Sequence, residues 1–202
     1  MKILLTAVNA KYIHSNPAIY CLRAAVPEYR EHIQIGEFTI NNKVDDILKY
    51  VYKEKPDALF LSCYIWNLMH LEELIAEFHK LCPKVPIWIG GPEVSYETES
   101  FLKAHPQIRG VVIGEGEATF RELCVYLIDQ QPMTLSKIKG IAYRDPNSDA
   151  IICNPLREMV DMSEIPFCYD RAEDFSNRII YYESSRGCPF SCSYCRRRNY
   201  RK

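Results

Sequence analysis

The sequence predicts an α/β fold, in which a doubly wound parallel sheet of five strands is followed by a small β-hairpin. Short apolar runs alternate with longer segments of helical spacing from residue 2 to about residue 130, which is the pattern of a parallel sheet wrapped by helices. The length of 202 residues and the apolar content of 48% also suit one full globular domain and part of a second.

Five apolar runs are the candidate strands of this sheet. They cover residues 2–8, 33–39, 57–63, 85–90 and 110–114. Two of the segments between and after them have clear helical spacing, because apolar residues recur at intervals of three and four over residues 71–82 and 120–128. Each of these segments would therefore present one apolar face to the sheet.

The pattern of apolar and turn residues changes after residue 131. Residues 138–143 and 151–153 flank a polar turn at 145–149, which predicts a hairpin, and a linker then leads to a predicted strand at 178–183. These features divide the chain into a Rossmann-like domain over residues 1–135, a hairpin and linker over 136–177, and the start of a second domain over 178–202.

The charge and the N-terminus restrict the class of protein. The formal net charge of -1 offers no basic stripe for a phosphate backbone, so nucleic acid is not the expected partner. The apolar run at residues 3–8 is too short for a signal peptide or a membrane span, and we expect a cytoplasmic protein. Six scattered cysteines are then expected to be reduced and buried: Cys21, Cys63, Cys82, Cys124, Cys153 and Cys168.

The other three cysteines, Cys188, Cys192 and Cys195, lie within eight residues of one another, after the last predicted strand. Thiolates so close in sequence can converge on one metal site, and soft sulfur ligands select zinc, copper(I) or an iron-sulfur cluster. A structural zinc site is closed by four ligands, but the nearest histidine in sequence is His105. Three ligands leave one metal position open.

The spacing Cys-x-x-x-Cys-x-aromatic-Cys, with Tyr194 as the aromatic residue, resembles the motif of the radical S-adenosylmethionine (SAM) superfamily. The resemblance implies a 4Fe-4S cluster held by Cys188, Cys192 and Cys195, with SAM bound to the unique iron. It also implies a small-molecule substrate and an electron donor such as flavodoxin or ferredoxin. Zinc binding or plain thiols remain the alternative.

The loops after the predicted strands are the second informative feature, because ligands of open α/β sheets bind beyond the carboxyl ends of the strands. These loops cover residues 9–17, 62–67, 90–95 and 114–117. Small residues at three of the strand ends would let the backbone approach a large planar or phosphate-bearing ligand. Neither a P-loop nor a G-x-G-x-x-G turn after the first strand is present, which argues against an ordinary nucleotide site.

Together these loops resemble the cobalamin-binding domain that precedes the radical barrel in enzymes related to anaerobic magnesium-protoporphyrin monomethyl ester cyclase. The resemblance implies a flavodoxin-like sheet with cobalamin over its carboxyl edge. The rings of Tyr64 and Trp66 would pack against the corrin or fill the core, and Glu117 is expected to be a helix N-terminal charge. The implied cofactor-binding residues are Asn9, Pro17, Ser62, Tyr64, Trp66, Asn67, Gly90, Gly91, Pro92, Glu93, Gly114, Glu115 and Gly116.

One departure from other cobalamin proteins concerns the cobalt ligand. The Asp-x-His-x-x-Gly signature is absent: His14 lies in the corresponding loop, but it has no Asp two residues before it and no Gly three residues after it. We therefore predict base-off cobalamin without a histidine ligand.

The sequence as a whole predicts the N-terminal part of a cobalamin-dependent radical SAM enzyme. Such an enzyme would transfer a methyl group to an unactivated carbon or cyclise one oxidatively. The family's partial barrel needs a long further stretch of strands and helices, so the 202 residues are expected to be an incomplete and inactive part of the enzyme. The alternative is a radical SAM enzyme whose α/β domain is a non-cobalamin substrate-binding or regulatory module.

Overall fold

The computed structural model describes residues 1–11, 14–129, 134–169, 175–187, 190 and 193. The strands are β1 (Ile3–Asn9), β2 (Ile33–Thr39), β3 (Ala58–Ser62), β4 (Ile87–Gly90), β5 (Ile108–Val112), β6 (Ile141–Arg144) and β7 (Ile151–Cys153). The helices are α1 (Pro17–Ala24), α2 (Val44–Glu54), α3 (Leu68–Leu81), α4 (Thr98–Ala104) and α5 (Glu117–Cys124), the last of which continues as a π-helical turn over Val125–Asp129. No helix within these ranges has the length and apolar character needed to cross a membrane.

The strands form one sheet in the order β2-β1-β3-β4-β5-β6-β7. The first five of these in space are parallel to one another, so the predicted flavodoxin-like sheet of five parallel strands is confirmed. The chain moves outward from β1 to β2 and then returns across β1 to β3. The strand order therefore reverses between β1 and β3, and this is the switch point beside which ligands bind in such sheets.

The predicted hairpin is present, but it belongs to the main sheet. Strand β6 pairs antiparallel with β5, and β7 pairs antiparallel with β6, so the sheet has seven strands in place of the expected five. The side chain of Asp145 closes the turn, because its Oδ1 accepts hydrogen bonds from the backbone N–H groups of Asn147 and Ser148 at 2.8 and 2.9 Å.

The prediction of a strand over residues 178–183 is wrong for this structure. Only Ile179 takes part in a β-bridge, with His14, and its carbonyl accepts a hydrogen bond from the Ser15 N–H at 3.1 Å. The residue that would donate the next hydrogen bond of this ladder after Ser15 is Pro17, which has no N–H to offer, while the Asn16 N–H between them donates to the side chain of Glu37.

Strand β1 shows how the sheet separates two cores, because all seven of its residues are buried and alternate between the faces. Ile3, Leu5 and Ala7 pack in the core that includes α1 and α5. Leu4 and Val8 pack in the core that includes α2, α3 and α4. The predicted apolar face over residues 71–82 is confirmed, since Leu71, Leu74, Ile75 and Phe78 are all buried there.

A tight contact in the middle of the sheet joins β4 to β5. The indole of Trp88 is 1% exposed and stacks against Phe60, with 6.1 Å between the ring centroids. A Cβ atom on Gly110 would lie 2.4 Å from Trp88 Cζ3 and 2.8 Å from the backbone oxygen of Ala142. Glycine is therefore required at position 110, because neither a buried indole nor a strand backbone can move aside.

We expect Gly110→Ala to lower the free energy of unfolding by about 2 kcal/mol or more, since overpacking a filled core forces side chains and backbone to shift. Urea unfolding followed by far-ultraviolet circular dichroism measures this change. The matched control is Gly36→Ala in β2, whose Cβ would meet only the outer ring atoms of Tyr50 and Phe38 within 3.4 Å. That control should stay within about 1 kcal/mol of the parent, and equal losses in the two variants would contradict the prediction.

Candidate functional site at the carboxyl edge of the sheet

The structure brings the four predicted loops together at the carboxyl edge of the sheet. Asn9, Ser62 and Gly90 are the last residues of β1, β3 and β4. The register places Ser62 beside Gly90 and Gly90 beside Val112 of β5. The remaining predicted residues follow these strand ends directly: Pro17 begins α1, residues 64–67 lead into α3, residues 91–93 follow β4, and residues 114–116 precede α5.

Asn67 holds the loop after β3 in its conformation. Its side chain is fully buried, and its Nδ2 donates to the carbonyls of Val8 and Ser62 at 2.9 Å each, while its Oδ1 accepts from the Tyr64 N–H at 2.8 Å. The amide of Asn67 is thus committed to its own loop and to β1. Asn67 therefore positions the loop after β3.

The loop held by Asn67 presents apolar side chains to the outside. The rings of Tyr64 and Trp66 stack with centroids 4.4 Å apart and an angle of 9° between their planes. Trp66 is 44% exposed and Ile65 77% exposed, and Met69 at the start of α3 is also exposed. Trp66 therefore does not fill the core, and an apolar surface lies at this end of the sheet.

Two glycines shape the neighbouring loops. Gly91 has φ +118°, and a Cβ atom there would lie 2.2 Å from the carbonyl oxygen of Cys63, so the loops after β3 and β4 touch through backbone alone. Gly114 has φ +77°, and no atom of the described residues beyond its chain neighbours lies within 4 Å of the position its Cβ would occupy. Within the described part of the chain, open space therefore adjoins the backbone after β5.

Glu37 near the end of β2 is a polar centre that the sequence did not reveal. Its side chain is 7% exposed. Its Oε1 accepts from Asn9 Nδ2 at 2.8 Å and from the Asn16 N–H at 2.6 Å. Its Oε2 accepts from the Tyr20 hydroxyl at 2.8 Å and from an Arg178 guanidinium nitrogen at 2.7 Å. Burial, and then the charge of Glu37, raise the pKa of Tyr20, which stays a neutral donor.

The loop after β1 is held by this same cluster. Asn9 Nδ2 also donates to the His14 carbonyl at 3.0 Å, and Asn9 Oδ1 accepts from Asn16 Nδ2 at 3.2 Å. The predicted contact residue Asn9 therefore has its side chain engaged within the protein. His14 Nδ1 lies 2.7 Å from the Tyr181 hydroxyl, and the two rings meet edge to face.

A second charged cluster connects the loop after β5 with the residues just before the cysteine motif. Arg186 donates to both carboxylate oxygens of Glu117, at 2.5 and 3.1 Å, and to Glu183 at 2.8 Å. Burial alone would lower the pKa of Arg186, but the hydrogen bonds and charges of Glu117 and Glu183 raise it above the ordinary arginine value. Glu117 begins α5 as expected for a helix N-terminal charge, yet its carboxylate is paired with an arginine that sequence reasoning did not assign.

The predicted metal ligands Cys188, Cys192 and Cys195 lie outside the described residues. Across the part of the chain that is described, no group of three or more His, Cys, Asp or Glu side chains could hold a metal ion. Of the six scattered cysteines, Cys21, Cys63, Cys124 and Cys168 are buried as predicted, and Cys82 is half-buried. Burial raises the pKa of the Cys63 thiol to about 12. The prediction is wrong for Cys153, which is exposed because it ends β7 at the edge of the sheet.

Comparison with protein families gives one match that covers more than half of the chain. Residues 3–124 match the family described as the B12 binding domain. These residues include β1 to β5 and α1 to α5, and thus the four loops at the carboxyl edge.

Several curated relatives are similar to this chain. It is 31% identical over 154 residues to 2-(S-pantetheinyl)-carbapenam-3-carboxylate methyltransferase of Streptantibioticus cattleyicolor, covering 69% of this chain and 22% of that protein. It is 30% identical over 123 residues to the anaerobic magnesium-protoporphyrin IX monomethyl ester cyclase of Synechocystis, covering 58% and 24%. The chain thus spans less than a quarter of the length of these two relatives.

A solved structure with the same fold is that of OxsB, a cobalamin-dependent S-adenosylmethionine radical enzyme with aqua-cobalamin and S-adenosylmethionine bound. The TM-score is 0.73 at 22% sequence identity, over 95% of this chain and 28% of OxsB. The structural similarity to OxsB therefore includes residues beyond the five parallel strands. With the match over residues 3–124, it confirms the resemblance inferred from the strand-end loops, and the chain belongs to the B12 binding domain family.

Proposed function

We propose that this chain binds cobalamin across the carboxyl edge of its sheet, as the N-terminal part of a cobalamin-dependent radical SAM enzyme. The parent enzyme would transfer a methyl group to an unactivated carbon of a small molecule or cyclise one oxidatively. The observation that carries the proposal is the conjunction, at one edge, of exposed apolar side chains and open space beside Gly114, in a chain of the B12 binding domain family.

The residues present fit such a ligand. Cobalamin is a wide macrocycle with apolar faces and a rim of amide side chains, so it needs apolar surface, backbone that allows close approach, and hydrogen-bonding groups. Trp66 and Ile65 supply the apolar surface, and Gly114 leaves room beside the backbone. The buried side-chain oxygen of Asn16 has no hydrogen-bond partner within the described residues, and it could accept a hydrogen bond from a rim amide.

The chain's own residues would bind and orient this ligand. Cobalamin, when bound, supplies a cobalt centre that can carry a methyl group. Trp66 and Tyr64 would pack against the macrocycle, while Asn67 keeps their loop in place through its three hydrogen bonds. Gly91 would hold the loop after β4 against that loop, because only glycine allows the backbone contact with Cys63. Glu93 and Glu115 lie at the same edge and would supply polar groups to the ligand.

Cys188, Cys192 and Cys195 are proposed to hold a 4Fe-4S cluster with an open iron position for SAM. Support comes from the spacing of the three cysteines. A further relative, TokK of Streptomyces tokunonensis, is a cobalamin-dependent radical SAM methyltransferase and is 29% identical over 157 residues. Reduction of the cluster would need an external electron donor of the flavodoxin or ferredoxin type.

Hydroxocobalamin should bind to the purified chain and shift its visible spectrum. After reduction to cob(II)alamin, the electron paramagnetic resonance spectrum should show no nitrogen splitting from the protein, because His14 lacks the Asp and Gly neighbours of a cobalt ligand. His14→Ala should leave this spectrum unchanged. A nitrogen splitting that disappears in His14→Ala would show a histidine ligand. A folded chain that does not bind hydroxocobalamin would refute the proposed function in favour of a non-cobalamin module.

Trp66→Ala should weaken hydroxocobalamin binding by about tenfold or more, because an indole that is covered by the ligand loses most of its contact with water. Tyr52→Ala is the matched control. Tyr52 is also an exposed aromatic residue, at 53%, but it lies in the last turn of α2 and therefore at the opposite edge of the sheet. Equal affinities of the two variants in a spectrophotometric titration would remove Trp66 from the site.

Replacement of Cys188, Cys192 or Cys195 by alanine should abolish cluster assembly on anaerobic reconstitution with iron and sulfide, since each thiolate supplies one iron ligand. Cys153→Ala, which removes an exposed thiol elsewhere, should retain the cluster. Iron and sulfide analysis with visible absorption measures the outcome. Zinc bound in place of iron, or full iron content in the three variants, would contradict this assignment.

A further inference from the structure

Residues 175–187, which lead into the cysteine motif and are called the docking segment below, carry two arginines that pair with glutamates of the sheet domain. Arg178 donates to Glu37 at 2.7 Å, and Arg186 donates to Glu117 at 2.5 and 3.1 Å. Glu37 lies in β2 and Glu117 begins α5 after β5, so the two pairs engage different strand ends of the same edge. These two ion pairs thus attach the docking segment to the sheet domain at two strand ends.

Both pairs are shielded from water. The side chains of Arg186 and Glu117 are 11% and 9% exposed, and those of Arg178 and Glu37 are 24% and 7% exposed. By contrast, the helix-surface pair of Lys103 with Glu99 is 66% and 58% exposed. Removing one partner of a shielded pair weakens the compensation of a buried charge, since Arg186 without Glu117 would keep only Glu183 and the more distant Glu115. Removing one partner of a surface pair changes little.

The rest of the docking segment is attached by apolar and neutral contacts. Phe175 is buried against the rings of Tyr20 and Tyr169, and the Tyr181 hydroxyl lies 2.7 Å from His14 Nδ1. Neutral hydrogen bonds join the carbonyls of Ile179 and Tyr181 to the Ser15 N–H and the Tyr169 hydroxyl. Ile180 and Tyr182 are exposed, and no atom of the described residues beyond its chain neighbours lies within 4 Å of the position that a Cβ on Gly187 would occupy. These apolar and neutral contacts involve Phe175 to Tyr181, so the pair of Arg186 with Glu117 is the anchor nearest to Cys188 among the described residues.

The Arg186 pair also contacts the loop proposed to receive cobalamin. Arg186 lies 3.8 Å from Glu115, and Glu115 in turn accepts a hydrogen bond from the Val160 N–H at 2.8 Å. Glu115 and Glu117 flank Gly116 directly after the open space at Gly114. The same few side chains thus touch the loop after β5 and the approach to the cysteine motif.

We propose that Glu117 and Glu37 are positioning residues that fix the approach to the cysteine motif against the carboxyl edge of the sheet. They thereby set the relative placement of the two proposed cofactors. This inference rests on the proposed function for its meaning in catalysis, but the docking itself does not depend on a bound cofactor. Neither residue is proposed to touch the reacting atoms.

Hydrogen exchange measured by mass spectrometry on the whole chain tests the docking. In Glu117→Gln and in Glu37→Gln, amides of the docking segment should exchange about tenfold faster than in the parent, because a charged acceptor has become neutral. Glu99→Gln should change them by less than about twofold. Peptides from β1 and β3 report whether the sheet stays folded. Unchanged exchange of the docking segment in both glutamate variants would overturn the proposal.

A second variant, Arg186→Ala, tests the same ion pair without a substitution in the sheet domain. Arg186→Ala removes the partner that lies in the docking segment and leaves the sheet domain's own sequence intact. The same increase of about tenfold is expected near residue 186 with unchanged exchange in β1. Retention of the parent's slow exchange in this variant would equally overturn the proposal.

The catalytic meaning is tested by the magnetic interaction between reduced cluster and cob(II)alamin in the reconstituted chain. Paramagnetic resonance should give one narrow distance distribution in the parent and a broader one in Glu117→Gln, with hydroxocobalamin affinity within about threefold of the parent. Identical distributions would refute positioning. If hydroxocobalamin does not bind at all, the proposed function fails, whereas the hydrogen-exchange result still decides whether the pairs dock the segment.

Discussion

The buried carboxylate of Glu37 is the interaction on which the carboxyl edge depends. A buried charge is tolerated only when it is paired and hydrogen-bonded, and Glu37 meets this condition with four donors from three parts of the chain. Asn9 ends β1, Asn16 and Tyr20 belong to the start of α1, and Arg178 lies far along the chain. Because each donor helps to offset the cost of burying the charge, Glu37 connects the position of the loop after β1 with that of the docking segment.

Asn67 plays the corresponding part on the other side of the switch point. Its amide joins the end of β1 to the loop after β3, and this leaves the neighbouring side chains, Ile65 and Trp66, facing outward. An edge built in this way has a rigid polar frame and an apolar surface. A large ligand on the loop after β3 would then bind without first ordering that loop, which would lower the entropic cost of association.

The sequence predicted the strands, the two long apolar helix faces and the hairpin because each is a local pattern of apolar and turn residues. The family was inferred from the loops, whose glycines and polar residues stand directly after predicted strands, and the flavodoxin-like sheet was implied by that resemblance. The charged pairs could not be predicted in the same way. Glu37 and Arg178 are 141 residues apart, and Glu117 and Arg186 are 69 apart, with no periodicity to connect them. The strand expected at 178–183 failed for the same reason, since only the fold shows that this segment lies beside Pro17, which cannot continue the ladder.

The hairpin of β6 and β7 has a consequence for how the protein behaves in a crowded solution. Without it, β5 would be the border of the sheet, and its apolar run Ile-Arg-Gly-Val-Val would expose unpaired backbone groups to any passing extended chain. With the hairpin in place, the border on that side is β7, which is three residues long and follows a polar turn. Such a short border offers few backbone groups in a row. The added hairpin therefore protects the domain against aggregation through strand-to-strand contact.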